Sequence, residues 1–421
     1  MAHQLARLSR KPDFRLLWIG ETISAAGNAM AVIGIPLLAV TVLHAGAFAV
    51  SALTAAAYLP WLLIGLPAGV WVDRIPARPL MITCDLLSAL LYASLPISAW
   101  LGLLSIGQLL AVALLAGAVN VFFATAYQVL LPSLVAADEL AAGNAQLQAG
   151  AQVAAITGRG LAGVAAQAAG AATALLLNAA SFGVSAVCLL RIRTAPPARK
   201  RERNRERERT TTVRAETWQG LRYLAADPYL RRFTLYGGIA NLAYTGNLAL
   251  VVLFLVRVVR LDPAAVGLLM ATSGAGGVLG TLAASPLARA LGSARTLVAT
   301  GLATGLVSLL IPLSAPGPRL ACYVAGSAAV SAGLAVGNVI LRSFRQAYCP
   351  PAMLGRVTAS MGFFLMGTIP LGSLLAGALG TVLGIRDGLW AVLAVFAASP
   401  LLLLTRVRDL PNAPRLPGNN R

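Results

Sequence analysis

What most constrains this chain is a succession of apolar runs, each about as long as a bilayer is thick. A helix needs about 20 predominantly apolar residues to cross the hydrocarbon core. Runs of that order recur at roughly Arg15–Val40, Phe48–Val72, Leu80–Leu101, Ile106–Leu131, Ala145–Gln167 and Ala171–Ile192. After a polar gap they resume at Phe233–Val256, Ala264–Ala288, Thr296–Leu313, Leu320–Phe344, Val357–Val382 and Leu389–Thr405. The expectation is an all-α membrane protein with twelve transmembrane helices, the fifth and sixth parted only by a turn near Gly170. Of 421 residues, 58% are hydrophobic and 11% charged, against about a quarter charged in soluble domains. Such a chain cannot cover a soluble surface. Met1 to Lys11 is polar and basic, and the first apolar run is too long for a signal h-region, so no cleavable signal is expected.

The distribution of basic residues tests the count independently, because cytoplasmic loops carry the excess of Lys and Arg. Arg7, Arg10, Lys11 and Arg15 precede the first run, and Arg74 and Arg78 occupy the second-to-third turn. A dense Arg cluster follows the sixth run. Arg289 and Arg295 bracket the eighth-to-ninth turn, Arg345 and Arg356 the tenth-to-eleventh, and Arg406 and Arg408 follow the last. The alternate loops hold few: Arg257, Arg260, Arg319 and Arg386. The alternation requires an even number of helices with both termini cytoplasmic.

One domain boundary stands out. Residues 1–192 form a first group of six helices, 193–232 an Arg-rich cytoplasmic linker, and 233–421 a second group of six with a short tail. The Arg/Glu alternation from Arg199 to Arg209 has no apolar face, so it reads as a solvated helix or a disordered stretch. Trp218, Leu221, Tyr223 and Leu224 supply a modest apolar stripe for a helix on the membrane surface. The net charge of +19 collects in this linker and at helix ends, which favours anionic lipid as partner over nucleic acid. A repeat is visible as well. AYQVLLPSLVAADELAAGN (Ala126 to Asn144) and SFRQAYCPPAMLGRVTAS (Ser343 to Ser360) each run from an aromatic residue and Gln through Pro into the next helix. They sit at matching positions, as in duplicated transporter halves, so the two bundles are expected to be pseudo-symmetric.

Several chemistries find no support. Cys84, Cys188, Cys322 and Cys349 are scattered singly, without metal or redox spacing, and read as small core residues. His3 and His44 lie near expected surfaces, leaving no histidine for metal or acid–base work inside the bundles. The glycines from Gly274 to Gly280 lie inside an apolar helix with no strand before them, so helix packing is preferred over a nucleotide loop. No P-loop, nucleophile elbow or zinc-protease motif occurs. The expectation is neither an enzyme nor a cofactor or metal protein.

Three charged sites remain. The turn GLPAGVWVDRIPARPLMITCD (Gly65 to Asp85) joins the second and third runs through Asp73, Arg74 and Arg78. Gly65 and Gly69, four apart, share a helix face that another helix could approach closely. Asp73 and Arg74 read either as a latch or as ordinary flanking charges. Asp85 lies two turns beyond Arg78, roughly 10 Å along the axis, and reads as part of a charge network tied to that turn, a proton site being the alternative. Glu21 sits a third of the way into the first run. An intramembrane acid is a functional candidate by default, here for proton coupling; the alternative is a Glu hydrogen-bonded to Thr22 or the neighbouring polar face, with no transport role. Arg159 lies near the middle of the fifth run, where a guanidinium could bind an anionic substrate group or hold a carboxylate. Its depth differs too much from that of Glu21 for the two to pair.

The spacing Gly69-x-x-x-Asp73-Arg74 with Arg78 four further on resembles the signature between the second and third helices of major facilitator superfamily transporters. FRLLWIGETISAAGNAM (Phe14 to Met30), DRIPARPLMITCDLL, LLPSLV with GNAQL, and RQAYCPPAMLGRVTASMGFFLMGTIPLGSLLAG (Arg345 to Gly377) narrow it. Together they look like the bacterial efflux branch that includes the enterobactin exporter and macrolide efflux proteins. The resemblance implies the major facilitator fold, a monomeric carrier and alternating access. It implies export of drugs, antibiotics or siderophore-like products by proton antiport, an importer or a non-transporting sensor being the alternatives. It places Asp73 against the N-terminus of the eleventh helix, here Leu354 to Val357. Pro76 and Ala77 stand where the family usually has a glycine and a base, so a weaker latch is expected, with Arg78 as the remaining second base. Arg159 stands where related exporters carry a proline. By the same analogy the first, fourth, seventh and tenth helices line the substrate cavity, with Asn28, Asn120, Asn241 and Tyr244 as polar contacts.

Overall fold

Backbone N–H and C=O groups find no water in a hydrocarbon layer, so apolar stretches satisfy them internally as helix. The computed structural model describes residues 11–72, 74–136, 139–193 and 221–404, and no strand occurs among them. The principal helices are α1 (Pro12–Thr41), α2 (Ala47–Val72), α3 (Ala77–Trp100), α4 (Ile106–Leu134), α5 (Leu140–Ala169) and α6 (Ala171–Arg191). They continue as α7 (Pro228–Leu253), α8 (Pro263–Leu291), α9 (Ser293–Ser308), α10 (Leu320–Tyr348), α11 (Pro351–Val382) and α12 (Ile385–Ala398). A short helix, α13 (Leu401–Leu404), extends the last, and residues 221–226 form one more helical stretch. Eleven segments among the described residues are long and apolar enough to cross a membrane. The one long helix outside that set is α5, whose Asn144, Gln146, Gln148, Gln152 and Arg159 dilute its apolar character. The Arg/Glu run, Trp218 and Asp73 lie outside the described residues.

Helix starts follow local chemistry. An acid before a proline caps the orphan N–H groups of a first turn, while the proline's fixed φ suits the first helical position. Asp227 Oδ1 accepts from the Tyr229 and Leu230 amides at 2.9 and 2.8 Å ahead of α7. Asp262 Oδ1 accepts from the Ala265 amide at 2.8 Å ahead of α8, and Ser105 caps α4 through Gln108 N. Gly170, the single residue between α5 and α6, and Gly384, the second of two between α11 and α12, have φ of +85° and +93°. With ψ near 157° and 156°, both occupy a region essentially reserved for glycine.

The chain divides into two compact units, Met1–Lys200 with Val252–Ala271, and Arg201–Val251 with Thr272–Arg421. In the first, a core of Phe14, Leu17, Met81, Leu130 and Leu147 ties α1, α3, α4 and α5 together. In the second, one cluster gathers Phe233, Tyr236, Leu297, Val336 and Ile340. Another gathers Leu224, Leu230, Cys349, Val357 and Met361.

The internal repeat reaches down to single backbone bonds. After α1 the Ala45 amide donates to the Ala39 carbonyl at 2.9 Å; after α7 the Leu261 amide donates to the Leu255 carbonyl at 3.0 Å. Each bond follows a residue with positive φ, His44 at +50° and Arg260 at +61°. Helix pairing repeats too. A side chain at Gly158 of α5 would collide with the Ala26 carbonyl of α1, and one at Gly372 of α11 with the Leu242 carbonyl of α7. Gly117 of α4 meets the Ala57 backbone of α2, while Gly276 and Gly280 of α8 meet Ala328 and Ala332 of α10. Close backbone approach over small residues is how helices associate without a hydrophobic driving force. The Gly274–Gly280 pattern is thus a packing surface. Gly65 departs from expectation: among the described residues it faces only the Trp61 ring on its own helix.

Candidate functional site

The first half is built around one contact. Gly20, Gly27 and Gly34 recur every seven residues along α1, and each lets α6 come close. Gly20 meets Ser185 and Cys188, Gly27 meets Asn178 and Ser181, and Gly34 meets Ala174 and Leu175. The heptad spacing of this stripe is visible in the sequence, but what it meets is not. It fixes the rotation of α1 and with it the direction of Glu21, one residue after Gly20.

Glu21 Oε1 is buried with no hydrogen-bond partner. The alternative of a bond to Thr22 does not hold, because the Thr22 hydroxyl donates to the Trp18 carbonyl at 2.7 Å. Asp85, only 1% exposed, comes from α3, and both its carboxylate oxygens are buried without a partner in hydrogen-bond geometry. The Ser185 hydroxyl of α6 is the polar group that faces it. The Glu21 and Asp85 carboxylates lie within electrostatic range of each other, and Glu21 is within range of the Tyr127 phenol on α4. Tyr127 and Ser185 are additions that only the tertiary structure supplies.

The network expected between Asp85 and Arg78 is not formed by the bonds Arg78 makes. Its Nε donates to the Leu189 carbonyl at 2.8 Å and one Nη to the Leu190 carbonyl at 2.6 Å. A cation there meets the negative end of the α6 dipole and satisfies carbonyls left free at a helix end. Arg78 therefore holds the start of α3 against the end of α6, and Asp85 looks inward instead. Arg74 is exposed, and Gly69 lies in the last turns of α2.

The remaining candidates are spread out. Asn28 on α1 and Asn120 on α4 are exposed, whereas Arg159, Asn241 and Tyr244 are half-buried. Around Arg159 the backbone is crowded: a side chain at Gly267 of α8 would meet the Arg159 carbonyl and the Gly163 backbone. Asn241 is engaged within its own unit, its Nδ2 donating to the Leu365 carbonyl at 3.0 Å and to the Thr368 hydroxyl at 2.9 Å.

A second polar centre lies where the linker re-enters α7. Asp227 caps the helix with one oxygen and accepts from the Tyr348 phenol with the other at 2.7 Å. Tyr348 stacks on Phe344 and meets Tyr229 edge-on. Its counterpart in the first half is the ion pair of Lys11 with Glu139. In both halves, the first helix is tied at its start to the junction between the fourth and fifth. Among the described residues no cluster of His, Cys, Asp and Glu suits a metal ion.

Comparison with known proteins places this geometry in context. The family model described as "transmembrane secretion effector" matches residues 2–419. The multidrug efflux pump Tap of Mycolicibacterium fortuitum is 26% identical over 413 residues, 95% of each chain. Among solved structures, a bacterial homologue of the human lysosomal transporter Spinster superposes with a TM-score of 0.74 at 13% identity, covering 95% of this chain and 98% of that one. A mutant of the nucleoside transporter NupG gives 0.76 at 12%, covering 94% and 99%. At such identities the structures establish the fold alone.

Proposed function

The chain belongs to the transmembrane secretion effector family, membrane transporters of the major facilitator fold, and on that footing we propose that it exports small organic molecules in exchange for protons. Alternating access would carry the substrate. Drugs, antibiotics or siderophore-like natural products are the proposed cargo, in keeping with an efflux pump as relative. We place the protein in a bacterial cytoplasmic membrane as a monomer with both termini inside and anionic lipid at the Arg-rich linker. Asp73 and Arg74 are proposed to gate, and Asn28, Asn120, Arg159, Asn241 and Tyr244 to contact substrate.

The observation that carries the antiport reading is Glu21, an acid inside a membrane helix with a buried oxygen that no donor satisfies. An ion left so poorly compensated is costly in a low-dielectric interior. A group that takes up and releases a proton avoids that cost in one state and can be discharged by water in another. Everted membrane vesicles with an imposed pH gradient and ethidium as probe test this. Wild-type protein is expected to accumulate ethidium at the expense of the gradient, and Glu21→Gln, at equal abundance in the membrane, to lose that accumulation. Unchanged ethidium movement in Glu21→Gln would take Glu21 out of the mechanism.

A further inference from the structure

Nothing in the sequence links Glu21 to Asp85, which lie far apart along the chain. In the folded first half they converge. Gly20 admits α6 at Ser185 and Cys188, Ser185 faces Asp85 of α3, and Glu21 lies in electrostatic range of that carboxylate. Three carboxylate oxygens, Glu21 Oε1 with Asp85 Oδ1 and Oδ2, are buried there without a hydrogen-bond partner.

Among the described residues, the groups that act on the two carboxylates include no cation. α3 adds Cys84 beside Asp85, α4 adds Tyr127, and α6 adds Ser185 and Cys188. Arg191 of α6 is felt by Cys188, and Arg78 is committed to the α6 carbonyls. On α5 the residue level with Thr22 is Gly150, and Arg159 lies two turns further on beside Gly158, which meets Ala26. Two carboxylates sharing such a site cannot both hold a negative charge cheaply, and their protons come off in coupled steps.

We propose that Glu21 and Asp85 form one proton-holding pair spanning α1 and α3, so that the exchanged proton belongs to both carboxylates rather than to Glu21 alone. This rests on the antiport reading above and deepens it. Asp85 becomes a second residue of the coupling machinery, and a movement of α1 relative to α3 would alter how firmly the pair keeps its proton.

Infrared titration of the purified protein in liposomes tests the pair without any substrate, by following the protonated carboxyl stretch against pH. Wild type is expected to show two separated buried-carboxyl steps. Glu21→Gln and Asp85→Asn should each leave a single step at a midpoint found in neither wild-type step. Either variant suffices if the other fails to fold. Two steps whose survivors in the single variants keep their wild-type midpoints would mean independent groups and overturn the pair. So would a band that answers to sodium at fixed pH and not to pH, which would make the site a cation site. Ethidium transport reports separately on the antiport reading. If wild type moves no ethidium against a pH gradient while the coupled titration holds, that reading fails alone. Wild-type transport with independent titration fails the pair alone.

Discussion

The phenol of Tyr348, at the end of α10, donates to Asp227 Oδ2 at 2.7 Å across 121 positions of sequence. Asp227 is at the same time the N-cap of α7, so one carboxylate joins the end of the linker to the α10–α11 junction. Burial, then the Asp227 carboxylate, push the Tyr348 phenol above its ordinary range, which keeps it a donor at neutral pH.

Removing that donor is therefore expected to destabilise the second half. Tyr348→Phe should cost about 1 kcal/mol, below the range for a fully buried bond to a charged group because the site is half-exposed. Asp227→Ala should cost more, because the cap, worth about 1 kcal/mol, is lost as well. Thermal unfolding in detergent checks both. A raised folded-state phenol value means that the contribution is full below the ordinary value of about 10 and fades as pH rises through the folded value. The gap between wild type and Tyr348→Phe should accordingly be flat from neutral pH up to about 10 and shrink beyond it. A gap already gone at neutral pH would contradict the bond.

Arg78 makes a similar prediction in the first half. Arg78→Gln loses two charge-assisted bonds to the α6 carbonyls and should lower stability by roughly 1–2 kcal/mol at this half-exposed site. Arg78→Lys keeps the charge at the helix end and should recover about 0.3–1 kcal/mol of that. Equal unfolding midpoints for Gln and Lys would mean that the dipole contributes nothing.

Gly158 and Gly160 form an internal control on one helix. A Cβ at Gly158 would strike the Ala26 carbonyl, whereas one at Gly160 meets nothing within 4 Å. Gly158→Ala should cost about 1–3 kcal/mol through forced separation of α1 and α5. Gly160→Ala should be neutral or stabilising by up to about 1 kcal/mol, the helix propensity gained. Thermal midpoints that move alike in both variants would refute the α1–α5 contact.

Asn241 and Thr368 should be energetically coupled. Their bond spans α7 and α11, so a double-mutant cycle of Asn241→Ala with Thr368→Val should return about 0.5–1.5 kcal/mol. A coupling energy of zero would indicate that Asn241 relies on the Leu365 carbonyl alone.

The helices and their order were legible in the sequence, because apolar length is a property of consecutive residues and the bilayer admits few backbone solutions. The turn at Gly170 is legible for the same reason: a glycine acts within one turn. What could not be read was which face of each helix meets which neighbour. Spacing along α3 points Asp85 toward Arg78, yet Arg78 reaches the carbonyls of α6 and Asp85 lies within range of Ser185 and Glu21. That choice depends on the rotation of α1, set by Gly20, Gly27 and Gly34 against α6. Close packing between helices far apart in the chain decides it. Sequence alone thus determined a many-helix membrane protein with an acid in its first helix, since burying apolar length needs no partner. Tertiary structure alone decided that this acid faces a second one, since only packing brings two distant side chains together.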